Sequence, residues 1–460
     1  MRWGIAMRSF EAAASGRGAT PSSRRTPNAR RDRGGAMRGR AGVLRRLALL
    51  GALAVLAGCG RPSGKGGAPI EITLFTWTRD AELAVNNRLC AEFEAEHPGV
   101  RVEIINEPGD RAMDKLQAMI AAGNPPDVMS IHGAFFMPLA AKGALLDLEP
   151  LIRDDPSFHL EDFYPRLVEL CRYKGVLYSL PRYTSVYVLF YNKDLFDAAG
   201  LRYPDNSWTW DDYLAAARKL TVDSPVPERR RFGCVIDFWG ARIYPWIWAN
   251  GGEVLDKSGK RCLLDQPEAQ EALQFLVDLR HKWKVCPPTT MAERRQNIAM
   301  FTNGQVAMFQ TGAWDIQTMR EAKALRWDIA LLPKKKQHAT LLGMENYAIA
   351  AGTKHPKEAW ELFKFLLGAH AQETMAAELE KQPSRMSVAN GPYLSQKVDY
   401  NRRVFLDALE YAHEAPNVPE WDRVAHFIQE QLDLMWIGQV SVEEGTRKAA
   451  RLVTEALAAE

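Results

Sequence analysis

The chain has 460 residues, of which 47% are hydrophobic, 25% charged and 10% aromatic, and its formal charge is +3. This composition excludes collagen-like, disulfide-scaffold and wholly disordered chains, and the length suffices for two or three domains. Residues 1–58 hold 12 Arg and two acidic residues. The rest of the chain therefore carries 59 − 12 = 47 basic and 56 − 2 = 54 acidic residues, a net charge of −7. A negative net charge argues against a nucleic-acid-binding groove, because binding phosphates needs a basic surface.

The first 58 residues lack any pattern that could form a core. Residues 1–36 show no hydrophobic period and are interpreted as a disordered extension or a mis-annotated start, with Met37 as the true first residue. Residues 37–58 combine a basic stretch (Arg38 to Arg46) with an uncharged run from Leu47 to Gly58. Twelve helical residues span about 18 Å, short of the ~30 Å of a bilayer core, so a signal peptide is predicted.

The run ends in Leu56-Ala57-Gly58-Cys59, which resembles the lipobox of bacterial lipoproteins. That resemblance implies cleavage before Cys59, lipidation of its sulfur and attachment of an exported protein to a membrane. The alternative is an ordinary signal peptide followed by an incidental cysteine. Residues 59–69 are rich in Gly, Ser and Pro and are predicted to be a flexible linker.

Five cysteines remain in the body of the chain: Cys90, Cys171, Cys234, Cys262 and Cys286. No CxxC or Cys/His spacing suggests a metal site, and we predict no cofactor. An oxidising compartment permits one or two disulfides, but the sequence does not pair them. The cysteines are equally interpretable as small buried hydrophobic residues.

From Ile70 the pattern alternates short strands and amphipathic helices. Strands are predicted at 72–76, 100–104 and 127–131, and helices at 81–96 and 112–122, with Gly/Pro breaks between them. Such units predict an open sheet, mostly parallel and covered by helices, which binds ligands beyond the carboxyl ends of its strands. Residues 77–80 and 130–135 occupy those positions.

The remainder of the chain is predicted to be mainly helical. A hairpin signal at 253–264 precedes a periodic helix over 266–283, and further apolar stripes occur at 359–367, 404–413 and 425–436. We find no internal repeat.

Several segments, in order along residues 70–390, resemble the bacterial extracellular solute-binding proteins of ABC importers, specifically the large sugar-binding family of maltose- and glycerol-phosphate-binding type. The segments that carry the resemblance are GNPPDVMSIHGAFFMPLAAKGALLDL (123–148), YKGVLYSLPRYTSVYVLFYNKDLF (173–196), TWDDYLAAARKLT (209–221), NGG (250–252), FTNGQVAMFQTGAW (301–314) and NYAIAAGTKHPKEAWELFKFLL (346–367).

The resemblance implies a two-lobed periplasmic-binding-protein-like α/β fold of class II type, with mostly parallel sheets and three hinge crossings. The crossings are expected near 181–185, 310–313 and 343–346. Residues 70–181 and 313–343 would form the N-terminal lobe, and residues 182–312 and 344–460 the C-terminal lobe. The implied function is capture of a mono- or oligosaccharide by hinge closure and its delivery, by a lipid-anchored monomer, to an ABC permease.

A sugar offers hydroxyl groups and an apolar ring face, which aromatic and planar polar side chains match. Trp77 ends the first predicted strand and is followed by Arg79 and Asp80, and His132 and Phe135 end the third. Core packing is the alternative for Trp77. The family more often has Asp or Ser at the position of His132.

The resemblance implies further ligand contacts at and beside the crossings. Trp314 follows Gly312, where the family places a stacking aromatic residue. The other predicted ligand residues are Arg182, Tyr183, Trp239, Trp246, Glu345, Asn346 and Arg385. A surface salt bridge is the alternative for Arg385. Trp208, Trp210, Trp283, Trp360 and Trp436 are interpreted as packing residues.

No catalytic signature supports an enzyme, since GxSxG, HExxH, Walker A and GxGxxG motifs are missing from the sequence. A secreted lipoprotein glycoside hydrolase is the alternative function, because sequence alone does not give the separation of two carboxylates. A purely structural surface lipoprotein is a third interpretation, which the aromatic strand ends disfavour.

Overall fold

The structure is a computed structural model that describes residues 68–458, apart from 110, 227–228, 239, 288–293, 417 and 419. The predicted extension, signal peptide and lipidation site at Cys59 lie outside the described residues, as do most of the linker and Trp239.

The strands alternate with helices along the first part of the chain, as predicted. The strands are β1 (Ile70–Thr76), β2 (Val100–Asn106), β3 (Val128–His132), β4 (Arg172–Tyr173), β5 (Val176–Leu177), β6 (Ser179–Val186), β7 (Val188–Asn192), β8 (Phe232–Val235), β9 (Val306–Thr311), β10 (Trp327–Ala330), β11 (Thr340–Ile349) and β12 (Ala412–His413).

Helices cover both sheets. They are α1 (Asp80–Glu96), α2 (Ala112–Ala121), α3 (Gly133–Ala141), α4 (Glu149–Asp154), α5 (Pro165–Glu169), α6 (Lys193–Ala198), α7 (Trp210–Leu220), α8 (Tyr244–Ala249), α9 (Pro267–His281), α10 (Arg294–Thr302), α11 (Ile316–Glu321), α12 (Pro356–Leu366), α13 (Ala369–Leu379), α14 (Met386–Val388), α15 (Arg403–Leu409), α16 (Trp421–Trp436) and α17 (Val442–Ala458). None of the helices in the described residues is long and apolar enough to cross a membrane.

Two principal sheets organise the molecule. The first has the order β12-β11-β3-β1-β2, with β6 also paired to β11, and the second has the order β10-β7-β9-β8. β1 is parallel to both β2 and β3. Leu74 and Phe75, neighbours that point to opposite faces of β1, are both fully buried because helices cover the two faces of this sheet.

The pairing is more mixed than the predicted mostly parallel sheets. β11 is antiparallel to β3 and β6, and β7 is antiparallel to β9 and β10. The reason is that β6 and β7 form one continuous path from the first sheet into the second, and β11 returns along β6 in the opposite direction.

The chain passes between the sheets at three places. The first crossing is at Tyr187, between β6 and β7, a few residues after the predicted 181–185. The second lies between β10 and β11, and the third between α15 and α16, where β12 pairs with the start of β11. The crossing predicted at 310–313 is wrong, because the chain after β9 forms α11 and then returns to the second sheet as β10, which pairs with β7.

Because the chain follows this path, the lobe boundaries in the structure differ from the predicted ones. β11 remains in the first sheet as far as Ile349, so residues beyond 343 do not all belong to the second lobe. α12 and α13 pack with β1 and β11 in one hydrophobic core, whereas α16 and α17 pack with α7, α8 and α9 in another. The sheets therefore group residues 70–186 and 340–379 around the first, and 188–330 and 421–458 around the second, whereas Val404, Phe405 and Ala408 of α15 pack in a cluster with residues of both sheets.

Candidate functional site

The three crossings lie side by side where the two sheets meet. The Thr340 hydroxyl donates to the carbonyl oxygen of Tyr187 over 2.6 Å, and the Thr340 N–H donates to the Tyr411 carbonyl oxygen over 3.2 Å. Thr340 also pairs with Ala412 at the start of β12. One residue thus joins all three crossing segments, and the junction is held by a few backbone-directed hydrogen bonds.

Aromatic side chains gather beyond the carboxyl ends of two strands of the first sheet. Trp77 follows β1, His132 ends β3, and their rings meet edge to face with centroids 6.3 Å apart. Phe135, in the first turn of α3, packs with Trp77 on the hydrophobic cluster formed by β1, β3 and α2. The predicted grouping of residues beyond the carboxyl ends of β1 and β3 is therefore present in the structure.

His132 and Trp77 also bring polar atoms to this group. Desolvation lowers the pKa of His132 below its ordinary value, although the Glu345 carboxylate opposes the shift. The Trp77 Nε1 donor is buried and has no hydrogen-bond partner among the described residues. Arg79 and Asp80 are exposed where α1 begins.

A buried cluster of charges lies beneath these residues. Glu345 accepts hydrogen bonds from Ser130 (2.6 Å), Arg182 (3.1 Å) and the Tyr183 hydroxyl (2.5 Å). Arg182 also forms an ion pair with Glu82 at 3.0 Å, and Lys381 approaches Glu82 within 2.9 Å. Two carboxylates therefore face two cations, which makes the cluster neutral as a whole.

The pKa values of two members of this cluster shift in opposite directions. Burial raises the pKa of the Tyr183 hydroxyl well above its ordinary value, and the Glu345 and Glu82 carboxylates add to the shift. Burial would also raise the pKa of Glu82, but the charges of Arg182 and Lys381 outweigh it and hold that pKa below its ordinary value. Glu82 is therefore ionised and Tyr183 neutral at physiological pH.

This cluster positions the end of β3. Glu345 pairs with both His132 on β3 and Tyr183 on β6, and the register of β11 against β6 shifts at Glu345/Asn346. Irregularities of this kind re-aim side chains beside binding sites. Asn346 is fully buried, and its Nδ2 donates to the Ser179 hydroxyl over 3.2 Å. Arg182, Tyr183, Glu345 and Asn346 thus lie near the predicted site but below its surface.

The second sheet contributes an exposed aromatic residue to the junction. Trp314 follows β9 and retains 40% of its surface exposed, one of few large apolar side chains in the described residues to do so. Its indole meets the ring of Tyr187 edge to face, with centroids 4.9 Å apart. A Cβ atom on Gly312 would lie 2.2 Å from the Trp314 ring, so the indole rests directly on this glycine.

Sequence reasoning did not single out three residues near Trp314: Tyr187, Arg242 and Asp237. Tyr187 lies at the first crossing, and Arg242 forms an ion pair with Asp237 in the segment that follows β8. Burial alone would lower the pKa of Arg242, but Tyr187 and Asp237 raise it. The sequence signal for Tyr187 was its position just after the predicted crossing at 181–185. The only sequence signal for Asp237 and Arg242 was that they lie beside Trp239, a predicted ligand residue.

Two predicted ligand residues lie in hydrophobic or hydrogen-bonded interiors instead. Trp246 is 2% exposed, packs among Trp210 and Tyr213, and donates its Nε1 hydrogen to Gln310 over 2.8 Å. Every residue of α8 is buried, because this short apolar helix is enclosed on all sides, which explains why its tryptophans do not line a surface.

Arg385 is likewise committed to internal contacts. Its guanidinium donates to the carbonyl oxygens of Leu367 (2.7 Å) and Phe158 (3.0 Å) and forms an ion pair with Asp162 at 3.2 Å. Its ion pair is internal, so the structure supports neither ligand contact nor the alternative of a surface salt bridge. Arg385 borders a groove of about 680 Å³ that also involves residues 157–162 and 361–369, but none of the other predicted ligand residues lines it.

The described residues contain no cluster of three or more His, Cys, Asp or Glu side chains that could hold a metal ion. Trp77, His132 and Phe135 therefore form one group beyond β1 and β3 of the first sheet, and Trp314 with Tyr187 forms an aromatic pair beside the second sheet. This arrangement can bind a neutral ligand that combines apolar faces with hydroxyl groups.

Comparisons with known proteins also indicate a protein that binds a solute. Residues 81–373 match the family described as bacterial extracellular solute-binding protein. The galactooligosaccharide-binding protein of Bacillus subtilis is 25% identical over 78% of this chain and 86% of its own length. A Streptomyces antibioticus protein, named as an uncharacterized lipoprotein in the oleD 5' region, is 30% identical over 70% of this chain and 72% of its own length.

Among solved structures, the ABC substrate-binding protein of Listeria monocytogenes in complex with cycloalternan has a TM-score of 0.75 and 25% identity, covering 85% of this chain and 99% of that one. This similarity confirms the predicted two-lobed α/β fold.

Proposed function

The chain belongs to the family of bacterial extracellular solute-binding proteins, and on that premise we propose that it captures a carbohydrate at the junction of its two sheets and delivers it to an ABC permease. The observation that carries the proposal is the exposed indole of Trp314, held at the junction by Gly312 and Tyr187. An exposed aromatic face is suited to the apolar face of a sugar ring.

The polar groups of the first sheet support the same ligand class. The buried Trp77 Nε1 donor has no described partner, and a buried donor of this kind is costly unless a ligand or water accepts from it. A sugar hydroxyl would satisfy it, and the imidazole of His132 lies edge to face against the same indole. We further propose rim contacts from exposed Arg79 and Asp80.

Two relatives support a carbohydrate over other solutes. One is named for binding galactooligosaccharides, and the other was crystallised with cycloalternan. Both cover most of this chain at 25% identity, which supports the ligand class and leaves the individual sugar to experiment.

We propose that binding proceeds by hinge closure. Trp77 and His132 belong to the first sheet and Trp314 to the second, so each sheet supplies part of the site. A ligand that contacts both walls only when they approach favours the closed state by its difference in affinity for the two states. The permease would then recognise the closed arrangement.

We also propose that the protein is exported as a monomer and anchored to the membrane through lipid on Cys59. Export follows from the extracellular family, and the anchor is supported by the LAGC sequence and by a relative named as a lipoprotein.

A glycoside hydrolase remains the alternative. The carboxylates beneath the aromatic group disfavour it, whereas Glu414, which follows β12 at the third crossing, has a pKa that burial raises to about 7. Hydrolysis needs one carboxylic acid with a raised pKa to protonate the leaving oxygen. Of the carboxylates beneath the aromatic group, Glu82 has a lowered pKa, and Glu345 accepts three hydrogen bonds from neighbouring side chains. A receptor, which needs no such acid, fits these surroundings better.

The test is a titration of the purified protein with a panel of neutral mono- and oligosaccharides. Tryptophan fluorescence and calorimetry measure binding, and chromatography of the same mixtures measures product. The proposal expects saturable binding of at least one sugar without product. Formation of product would establish the hydrolase, and absence of binding across the panel would refute the carbohydrate proposal.

A further inference from the structure

Two cysteines in the lobe of the second sheet lie beside each other. The Sγ atoms of Cys234 and Cys286 are 3.1 Å apart, and both side chains are buried. Cys234 is in β8, and Cys286 follows α9, 52 positions later in the chain.

The backbone holds the two residues in this relation. The Cys234 N–H donates to the Val285 carbonyl oxygen over 3.2 Å, so the chain segments that carry the two cysteines run next to each other. A disulfide requires closely spaced Cα and Cβ atoms with converging side chains. Because neighbouring backbone supplies the spacing, the sulfurs need only a small rotation to reach bonding distance.

The compartment to which the protein is exported provides the oxidising conditions that a disulfide needs. Members of an extracellular family are exported, and exported proteins meet oxidising conditions in which disulfides form and persist. We propose that Cys234 and Cys286 form a disulfide in the exported protein. The two thiols give up their hydrogens, an Sγ–Sγ bond forms, and two electrons and two protons pass to a thiol–disulfide oxidant whose own disulfide becomes a dithiol.

The surroundings determine when this bond forms. Burial raises the pKa of the Cys286 thiol well above its ordinary value, and the hydrogen bond with Cys234 adds to the shift. Since the thiolate is the reactive species, the folded dithiol exchanges slowly. The bond therefore forms while β8 and the end of α9 are still accessible during folding.

The bond has a structural consequence for the proposed ligand wall. β8 leads directly into the segment that holds the Asp237–Arg242 ion pair. A cross-link between β8 and residue 286 closes a loop that contains α8 and α9, which restricts the unfolded chain and stabilises the fold.

The experiment uses the full chain exported into an oxidising compartment. The protein is unfolded without reductant, labelled with a thiol-alkylating reagent and digested for peptide mapping. Of the five described cysteines, Cys90, Cys171 and Cys262 should be labelled, and a peptide joining Cys234 to Cys286 should disappear on reduction. Complete labelling of all five, or a bond between another pair, would overturn the proposal.

Matched variants separate the bond from simple packing. Cys234→Ala should leave Cys286 fully labelled, whereas Cys262→Ala, at another buried cysteine, should leave the cross-linked peptide intact. Reductant should lower the melting temperature of the wild type and of Cys262→Ala but not that of Cys234→Ala. An equal effect of reductant on all three proteins would also contradict the assignment.

Discussion

The indole of Trp314 meets the ring of Tyr187 edge to face, with centroids 4.9 Å apart and planes inclined at 71°. Tyr187 is the residue at which the chain first passes between the sheets, and its carbonyl oxygen accepts a hydrogen bond from Thr340 at the second crossing. The proposed stacking surface is therefore braced by the junction itself, which holds the exposed indole in a defined orientation before ligand arrives.

Replacing Trp314 tests whether this indole contacts the ligand. Losing a desolvated stacking aromatic residue commonly costs ~2 kcal/mol or more, so Trp314→Ala should weaken sugar binding at least about tenfold, ~1.4 kcal/mol, with little change in the melting temperature of the unliganded protein. Calorimetric titration with the sugar that responds best in the panel measures the affinity. Normal affinity together with a collapsed melting temperature would assign Trp314 to the core.

Trp360 is the matched control. It is 5% exposed and donates its Nε1 hydrogen to Asp155 over 3.0 Å. Truncating a buried tryptophan typically costs ~3–5 kcal/mol of stability. Trp360→Ala should therefore lower the melting temperature strongly, and the fraction that remains folded should bind sugar with wild-type affinity.

Gly312 provides an independent test of the indole's position. A Cβ atom there would lie 2.2 Å from the Trp314 ring, and the φ of −130° at Gly312 suits any residue, so Gly312→Ala should act only by displacing the indole. We expect weaker sugar binding and little change in melting temperature. In the Trp314→Ala background the same substitution should have no further effect, because the displaced group is gone. Additive losses would mean that Gly312 acts by another route.

The buried charge cluster should matter for stability. Arg182 pairs with Glu82 and Glu345, and its side chain is 2% exposed. Arg182→Met leaves two carboxylates without this cation, and breaking a buried pair from one side costs about 3–5 kcal/mol. Arg451→Met removes an exposed ion pair with Glu455 and should cost less than about 1 kcal/mol. Urea unfolding at pH 7 compares the two, and equal losses would contradict the prediction.

Glu414 should make stability depend on pH. Burial raises the pKa of Glu414 to about 7 from an ordinary 4.5, although Arg166 opposes the shift. Because the folded pKa is the higher one, the unfolded chain releases this proton first, and stability falls as pH rises from 4.5 to 7 and then levels.

Glu414→Gln removes that penalty. The variant should gain stability over the wild type as pH rises through this window, up to a ceiling of about 3 kcal/mol above pH 7 that solvent screening reduces. Thermal unfolding between pH 4 and 8 measures the gain. Glu410→Gln, at an exposed neighbour, should follow the wild type throughout. A constant offset for Glu414→Gln at every pH would show that burial of its charge is not the cause.

The lipid anchor rests on Cys59. Cys59→Ser should leave exported protein unprocessed or soluble, because the sulfur that would carry the lipid is lost. Partition between detergent and aqueous phases after membrane isolation measures the anchor. A variant that still enters the detergent phase as the wild type does would refute lipidation at this residue.

Much of the first lobe was predictable from local pattern. The predicted strands at 72–76, 100–104 and 127–131 correspond to β1, β2 and β3, and the helix predicted at 112–122 is α2, because short apolar runs between Gly/Pro breaks reflect a sheet covered on both faces. The crossing predicted at 310–313 failed for a nonlocal reason. Whether the chain after β9 leaves the second sheet depends on the pairing of β10 with β7, which no local pattern encodes.

The candidate site was predictable only for residues whose position, directly after a strand of the predicted sheet, was the reason for choosing them. Trp77 and His132 were predicted from their places after strands, and the structure brings them together. Trp246 was chosen for its place before Asn250-Gly251-Gly252 and Arg385 for its resemblance to a family loop, and both are buried among partners that lie far away in the sequence. An aromatic or cationic side chain satisfies a core as readily as a ligand, and only tertiary contacts decide between them.

Thr340 joins the three crossing segments through one side-chain and one main-chain hydrogen bond and its pairing with Ala412. A hydrophobic cluster beside Thr340 contains Val186 and Leu342 of the first sheet together with Val188 and Phe190 of the second, so a change in the angle between the sheets also repacks side chains there. For the proposed hinge closure, the apparent dissociation constant equals the intrinsic one divided by the closed fraction. A substitution at Thr340 should therefore change the affinity for sugar by shifting that fraction, without removing a proposed ligand contact.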